Sequence, residues 1–382
     1  MIRLAFVVHF NRTWIGGINV ILNLINLILK LKQFKKKIKI VLFTNSKKKI
    51  SKFKLSKNVE IIENSEIFER NIILKIIDKL LIILIGKTFF LERLLVKYRI
   101  NYISHSNIVT GNKSKTKSII WLPDFQYIYF PSYFSLKYKI LRKINIFIFK
   151  DHAFKILLSS QSAKNDLKKI CKIKNNNLIV SKFKFYVPTL NKLKNKNYLK
   201  RKYNIKNKFF YMPNQYWLHK NHLTVINALN HLKKNGNNKI SIVSSGDSKD
   251  YRHPDNFKNL ISLVKKYKIE KNYIYLGLIP FIDVLSLIYH SQAVINPSFF
   301  EGWSSTVEQA KAYNKKVILS DISVHREQRP KYSFFFHPKN YFKLSKILDE
   351  LNSKKQFNTN NTNLNKNIEN YAKKYCEIIL NN

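Results

Sequence analysis

Residues 1–45 read MIRLAFVVHFNRTWIGGINVILNLINLILKLKQFKKKIKIVLFTN. From Ile2 to Val8 the run is almost continuously apolar, as in a parallel strand covered on both faces. A loop carrying Gly16-Gly17 is expected next, then a helix from Ile18 to about Lys32. Within that helix Asn19, Asn23, Asn26 and Lys30 recur at helical spacing and form one polar stripe. Residues 37–45 read as a second buried strand around Ile40-Val41-Leu42-Phe43. Strand, glycine loop, helix and strand make a βαβ unit, which predicts an open parallel sheet.

Further along, residues 66–99 read as helix, with short strands near 100–104 and 118–122 and a strand end at Leu157-Leu158. The second half alternates more cleanly. Strands are expected at 209–212, 239–244, 273–276, 293–296 and 316–319, with helices at 221–234, 255–268, 283–290 and 305–313. The fold expected is α/β: two Rossmann-like, doubly wound parallel-sheet domains facing a central cleft, where ligands of such sheets bind. The boundaries are 1–188 for the first domain and 209–365 for the second. Residues 189–208, polar and basic, read as the linker. Residues 366–382 read as a C-terminal helix able to pack back on the first domain.

Composition narrows the function. The 382 residues are 45% hydrophobic, ample for two cores. Two cysteines, Cys171 and Cys376, make neither a disulfide framework nor a four-ligand zinc site, and fit a reducing cytoplasm. The first residues lack the features of a signal peptide. The most apolar stretch elsewhere, Leu80 to Gly86, is far shorter than the roughly 20 residues of a spanning helix. A soluble or peripheral protein is therefore expected. The formal charge of +48 reads as lysine spread over solvated faces in a chain also rich in asparagine and isoleucine. It nevertheless favours adhesion to anionic membrane.

Lysine and arginine avoid four stretches: Thr13 to Leu29, Ser118 to Leu136, Phe209 to His219 and Asn272 to Ala310. These include expected loops, Pro123-Asp124-Phe125-Gln126 and Phe300 to Ser304, which no core requires. The richest is Pro297-Ser-Phe-Phe-Glu301-Gly302-Trp303-Ser304-Ser305-Thr-Val-Glu308-Gln309-Ala310. Glu301 lies in a loop and Glu308 in the first turn of the next helix, whose free amides suit a diphosphate. Gly302 permits close backbone approach. Ser305-Thr-Val-Glu308 also reads as a capping box, which would give Glu308 a structural task but leaves Glu301-Gly302-Trp303 unexplained.

This segment resembles the Glu-x7-Glu motif of retaining glycosyltransferase family 4, of the GT-B fold, with Gln309 standing where the second glutamate falls. Met212-Pro-Asn214-Gln-Tyr-Trp-Leu-His-Lys220-Asn221-His222 is similar to that family's phosphate-binding segment. Trp121-Leu-Pro-Asp124-Phe-Gln126 resembles its acceptor-side loop, and Asp321-Ile-Ser-Val-His325-Arg-Glu327 a stretch after a later strand. Gly16 and Gly17 stand where the family's glycine loop meets the donor phosphates. The resemblance implies that Glu301 contacts hydroxyls of the donor sugar, Gln309 the ribose and Lys220 the diphosphate. Gly302, Trp303, Ser304, Ser305 and Glu308 complete the expected donor site. Asn214 replaces an arginine common in the family, and Tyr127 a histidine common after Asp-Phe-Gln. Asp124 is the candidate for orienting the acceptor, or it only terminates a strand. His9, Arg12 and His105 are left out of the core site.

The sequence contains no Asp-x-Asp, the pair that usually holds a divalent ion in the other main glycosyltransferase fold class. No metal and no cofactor are expected, the nucleotide sugar being a substrate. The resemblance implies retaining transfer from a nucleotide-diphosphate sugar to a glycan or lipid-linked acceptor, in bacterial surface polysaccharide synthesis at the cytoplasmic membrane face. Two alternatives stand beside it: a nucleotide-sugar epimerase of the same architecture, and a basic RNA- or membrane-binding protein. The second requires basic residues clustered on one face. Here lysine is spread out, so no nucleic-acid partner is expected.

Overall fold

A computed structural model describes residues 1–10, 15–53, 55–354 and 368–381. The chain divides into two compact units, one of Met1–Tyr186 with Asn367–Asn382, the other of Val187–Lys366.

Seven parallel strands form the sheet of the first unit: β1 Ile2–Val8, β2 Ile38–Thr44, β3 Glu60–Glu63, β4 Tyr102–Ser106, β5 Lys117–Leu122, β6 Lys155–Leu158 and β7 Leu178–Val180. Their order is β3-β2-β1-β4-β5-β6-β7. The order reverses between β1 and β4, which is the doubly wound signature. Helix Ile15–Lys30 starts earlier than the sequence suggests. Gly16 and Gly17 therefore lie in its first turn rather than in a preceding loop, because nothing in a glycine pair forbids helical backbone once tertiary packing favours it. The stretch 66–99 is three helices, Glu66–Glu69, Ile72–Ile85 and Phe90–Lys97. Gly86 ends the second of them in left-handed backbone at φ 74°.

Helix Ile368–Leu380 belongs to this first unit. Its Tyr375 is buried, donates to Ser104 Oγ at 2.6 Å and packs against Phe6 and His105. Residues 366 and 367, where the sequence placed the start of this helix, lie outside the described residues.

In the second unit the strands are β8 Phe209–Met212, β9 Ser241–Ser244, β10 Tyr273–Tyr275, β11 Val294–Asn296, β12 Val317–Ser320 and β13 Ser333–Phe336, ordered β10-β9-β8-β11-β12-β13 and all parallel. Residues 189–208 correct the linker reading. They carry helix Lys196–Lys202, and Leu199 and Ile205 are buried in the same core as Phe209, Tyr211 and Val294. Lysines and asparagines on the outer side of this segment gave it a linker's composition, while a few apolar residues anchor it.

Candidate active site

The second sheet reverses order between β8 and β11, so the chain leaves these neighbours toward opposite sides and opens a crevice beyond their carboxyl ends. Polar side chains converge there although this is the interior of an α/β layer. Asn214, just after β8, is buried and donates to Asn296 Oδ1 at 3.2 Å. Asn296 closes β11 and donates to Ser304 Oγ at 2.6 Å. The Ser298 hydroxyl lies 2.7 Å from both Asn296 Oδ1 and Glu301 Oε1, with one proton to give to either. Ser320, at the end of β12, donates to Ser298 O. Gly246 packs on this crevice from β9; its φ is +151°, and a Cβ there would fall 2.4 Å from Asn214 O, so only glycine fits.

Glu301 and Lys220 form the centre. The Lys220 ammonium donates to Glu301 Oε1 at 2.7 Å, and the glutamate is buried. Burial pushes the Glu301 carboxyl up, but Lys220 and His325 nearby, with hydrogen bonds from Lys220 and Ser298, outweigh it and hold the group below its usual value. His325 is fully buried at the start of its helix, with Nδ1 2.8 Å from Ser320 O. Its Nε2 is buried without a hydrogen-bond partner among the described residues. Desolvation keeps this imidazole's pKa below the ordinary histidine value despite the attraction of Glu301.

The loops are fixed by residues that the sequence quoted without a task. Asn221 follows the short turn Leu218–Lys220 in left-handed backbone at φ 57°, a conformation asparagine tolerates better than most residues. Its Nδ2 donates to Pro297 O at 2.9 Å and Pro338 O at 2.7 Å, so one amide ties the lysine turn to two other loops. His222 stacks on Tyr216 and bonds Tyr273 Oη and Gln215 O. The amide of Phe299 donates to His219 O, pinning the Glu301 loop to the Lys220 turn.

Helix Ser305–Ala312 is capped by Ser304, which accepts from the Val307 amide at 3.3 Å. The capping-box reading based on Ser305 is thus one place late. Glu308 is not the box's acid: its Oε1 accepts from Lys311 Nζ at 3.2 Å and Gln328 Nε2 at 3.0 Å. Gln328 also bonds both Ser304 N and Ser304 O, so a helix outside the motif holds the cap. Trp303 and Gln309 are buried, Gly302 and Ser305 half-buried. The first-turn amides have no acceptor within their own helix and follow Glu301 closely in sequence.

Gly16, Gly17 and Asp124 belong to the first unit. Gly16 is exposed with open space about it. Asp124 follows β5, and its Oδ1 accepts from the Gln126 amide at 3.1 Å, an Asx turn that starts helix Gln126–Tyr129. His105 sits at φ 53° with its ring between Phe6, Trp121 and Tyr375, and burial lowers its pKa to about 3. That is a core histidine. His9 stacks on Phe68, and Arg12 lies outside the described residues.

Geometry therefore unites Asn214, Lys220, Glu301, Ser304 and Glu308 in one unit and adds Asn296, Ser298, Ser320, His325 and Gln328. Asn296 and Ser298 lay within the lysine-free stretch, and His325 within a quoted motif. Nothing in the sequence marked Ser320 or Gln328.

Two doubly wound domains with a polar crevice at a switch point define a protein of the GT-B fold. Many solved structures are similar, among them three that cover at least 98% of the chain. A glycosyltransferase from Rickettsia africae is 17% identical, over 100% of this chain and 94% of its own, with a TM-score of 0.63. Anabaena Alr3699/HepE, in complex with UDP and glucose, is 13% identical over 100% and 97%, with a TM-score of 0.66. WaaG, a glycosyltransferase involved in lipopolysaccharide biosynthesis, is 11% identical over 98% and 95%, also at 0.66. At such identities they establish the fold. No curated protein matches. The family model for glycosyl transferases group 1 matches residues 195–375.

Proposed function

We propose that this protein is a retaining, metal-independent glycosyltransferase using a nucleotide-diphosphate sugar as donor. The observation that carries the reading is the Lys220–Glu301 pair at the carboxyl ends of β8 and β11. A carboxylate kept ionised in a buried crevice accepts hydrogen bonds from sugar hydroxyls, and an adjacent ammonium balances the diphosphate as it departs. Asn214 and the helix start at Ser305 supply neutral donors to the phosphates, and Gln309 the ribose contact. Gly16 and Gly17 serve the same phosphates in this reading. The acceptor hydroxyl oxygen forms its bond to the anomeric carbon on the face the diphosphate leaves. The C–O bond to phosphate breaks with its electron pair on the leaving group, and the hydroxyl proton passes to a phosphate oxygen. Asp124 orients the acceptor. The protein's part is positioning and electrostatics.

A lipid-linked acceptor is favoured by a cavity of about 560 Å³ in the first unit, beyond Asp124. Tyr127, Ile128, Ile140 and Ile170 give it apolar walls, and Lys139 and Lys143 stand at its side. That combination suits an apolar tail with a phosphate. Surface-glycan synthesis at the inner face of a cytoplasmic membrane is the setting such an acceptor implies.

A thermal-shift panel of UDP, GDP, ADP and their sugar conjugates, all in EDTA, tests the donor site. Saturation a hundredfold above Kd adds about 2.7 kcal/mol. One diphosphate raising Tm in the wild type and not in Lys220→Ala is expected. No shift from any of them would overturn the reading, and turnover of donor without acceptor would make the protein an epimerase.

A further inference from the structure

Helix Ile72–Ile85 contradicts the rule by which helices are buried. All of its 14 residues are apolar except Lys75, Asp78 and Lys79, the pattern of a helix enclosed on every side. Yet Ile82 is its only buried apolar side chain. Leu84 is 76% exposed, Ile72 69%, and Ile73, Ile76, Leu80 and Ile85 at least half exposed. Its one acid is turned inward, where Asp78 accepts from Arg70 and from the amides of Phe89, Phe90 and Leu91.

Beside it runs helix Leu136–His152, joined through Lys79 Nζ to Asn145 Oδ1 at 3.0 Å and through Ile82 in one core with Ile146 and Phe149. Its outer face interleaves exposed Leu136, Ile140, Ile144 and Phe147 with Lys137 and Lys143. The two neighbouring helices thus each present a row of exposed apolar side chains flanked by cations, more than the scattered exposure usual on a soluble surface. Among the described residues no helix is long and apolar enough to cross a membrane. A helix of 14 residues is about 21 Å long.

We propose that helices Ile72–Ile85 and Leu136–His152 form a docking face for an anionic lipid bilayer and lie in the plane of its headgroups. Apolar side chains enter the acyl boundary while lysines meet lipid phosphates, the division of labour of an interfacial helix. Charge complementarity favours this occupant. The acids on the two helices are Asp78, turned inward, and Asp151, at the far end of the second helix and paired with Lys150 at 3.6 Å, so cations outnumber acids on the outer face.

Flotation with vesicles of phosphatidylcholine, with and without phosphatidylglycerol, tests it on the full chain. The variant Ile76→Ser/Leu84→Ser keeps the net charge and removes two exposed side chains, so folding is preserved, as an unchanged melt would verify. Wild type should partition onto the phosphatidylglycerol vesicles, and the variant at least about tenfold less. Lys137→Gln/Lys143→Gln should reduce the preference for anionic over neutral vesicles. A control, Leu223→Ser/Leu278→Ser in the second unit, should bind as wild type. Undiminished binding of Ile76→Ser/Leu84→Ser would mean that the +48 charge adsorbs by any face, and the proposal fails. It fails equally if sedimentation shows a dimer that this variant dissolves while vesicle binding is unchanged, since the face would then belong to a second copy.

Discussion

Lys220 Nζ lies 2.7 Å from Glu301 Oε1, with both side chains largely withdrawn from water. Neither charge is tolerable there alone, so each residue fixes the state of the other before any ligand arrives.

Removing one partner exposes that dependence. Lys220→Ala should cost about 3 kcal/mol at neutral pH, read by chemical denaturation. In the wild type, the Glu301 carboxyl is held below its ordinary 4.5. Its stabilisation is therefore complete above that value and lost as pH falls through the lower, folded one. In Lys220→Ala the carboxyl's pKa rises, so the deficit should shrink toward pH 5, and Glu301→Gln added to it should restore stability. A deficit indifferent to pH would show that the pair is not coupled.

Asn221 combines a backbone conformation and two hydrogen bonds, and two substitutions separate them. Asn221→Gly relieves left-handed backbone and loses the bonds to Pro297 O and Pro338 O, at about 1 kcal/mol each. Asn221→Ala loses the bonds and adds roughly 1 kcal/mol of backbone strain. The alanine variant should melt lower, and both should bind a nucleotide diphosphate less well because the Lys220 turn and the Glu301 loop are no longer joined. Equal melts would leave the backbone unimportant.

Gln309→Glu places a carboxylate where the resemblance expects one, in the second turn of its helix. A charged acceptor should hold a ribose hydroxyl more strongly, tightening nucleotide binding by about 1 kcal/mol, or roughly fivefold. Calorimetric titration checks it; unchanged affinity for both nucleotide and nucleoside would place Gln309 away from the ribose.

Lys315 gives an independent pH signature. It is buried, donates to Tyr289 O at 2.8 Å, and desolvation, aided by Lys196 and Lys316, lowers its pKa to about 7. The unfolded chain, with a value near 10.5, binds the proton more tightly than the folded one. Stability should therefore rise with pH between about 7 and 10, by no more than about 1.4 kcal/mol per unit from this group. Lys315→Met should flatten that rise, measured by denaturation at pH 7 and pH 9.

The strands and the Lys220 and Glu301 segments were legible because buried parallel strands exclude lysine in a chain that otherwise abounds in it. Residues 189–208 were not, since Leu199 and Ile205 are too few to outweigh their lysines and asparagines. The helix after Trp303 was placed correctly from Ser305, but its cap was not. Ser304 and Ser305 are equally good caps on paper, and Gln328, distant in sequence, decides between them. Asn221 and His222 could be quoted but not interpreted, because their partners Pro297, Pro338 and Tyr273 come together only on folding.

Helix Ile368–Leu380 fills the first unit's core with Tyr375, Cys376 and Ile379. During synthesis, then, all seven strands of the first unit are made while it still lacks a wall. Ser104 must wait for a tyrosine made 271 residues later, and a ribosome stalled in between would leave an unfinished, sticky N-terminal half for chaperones to guard.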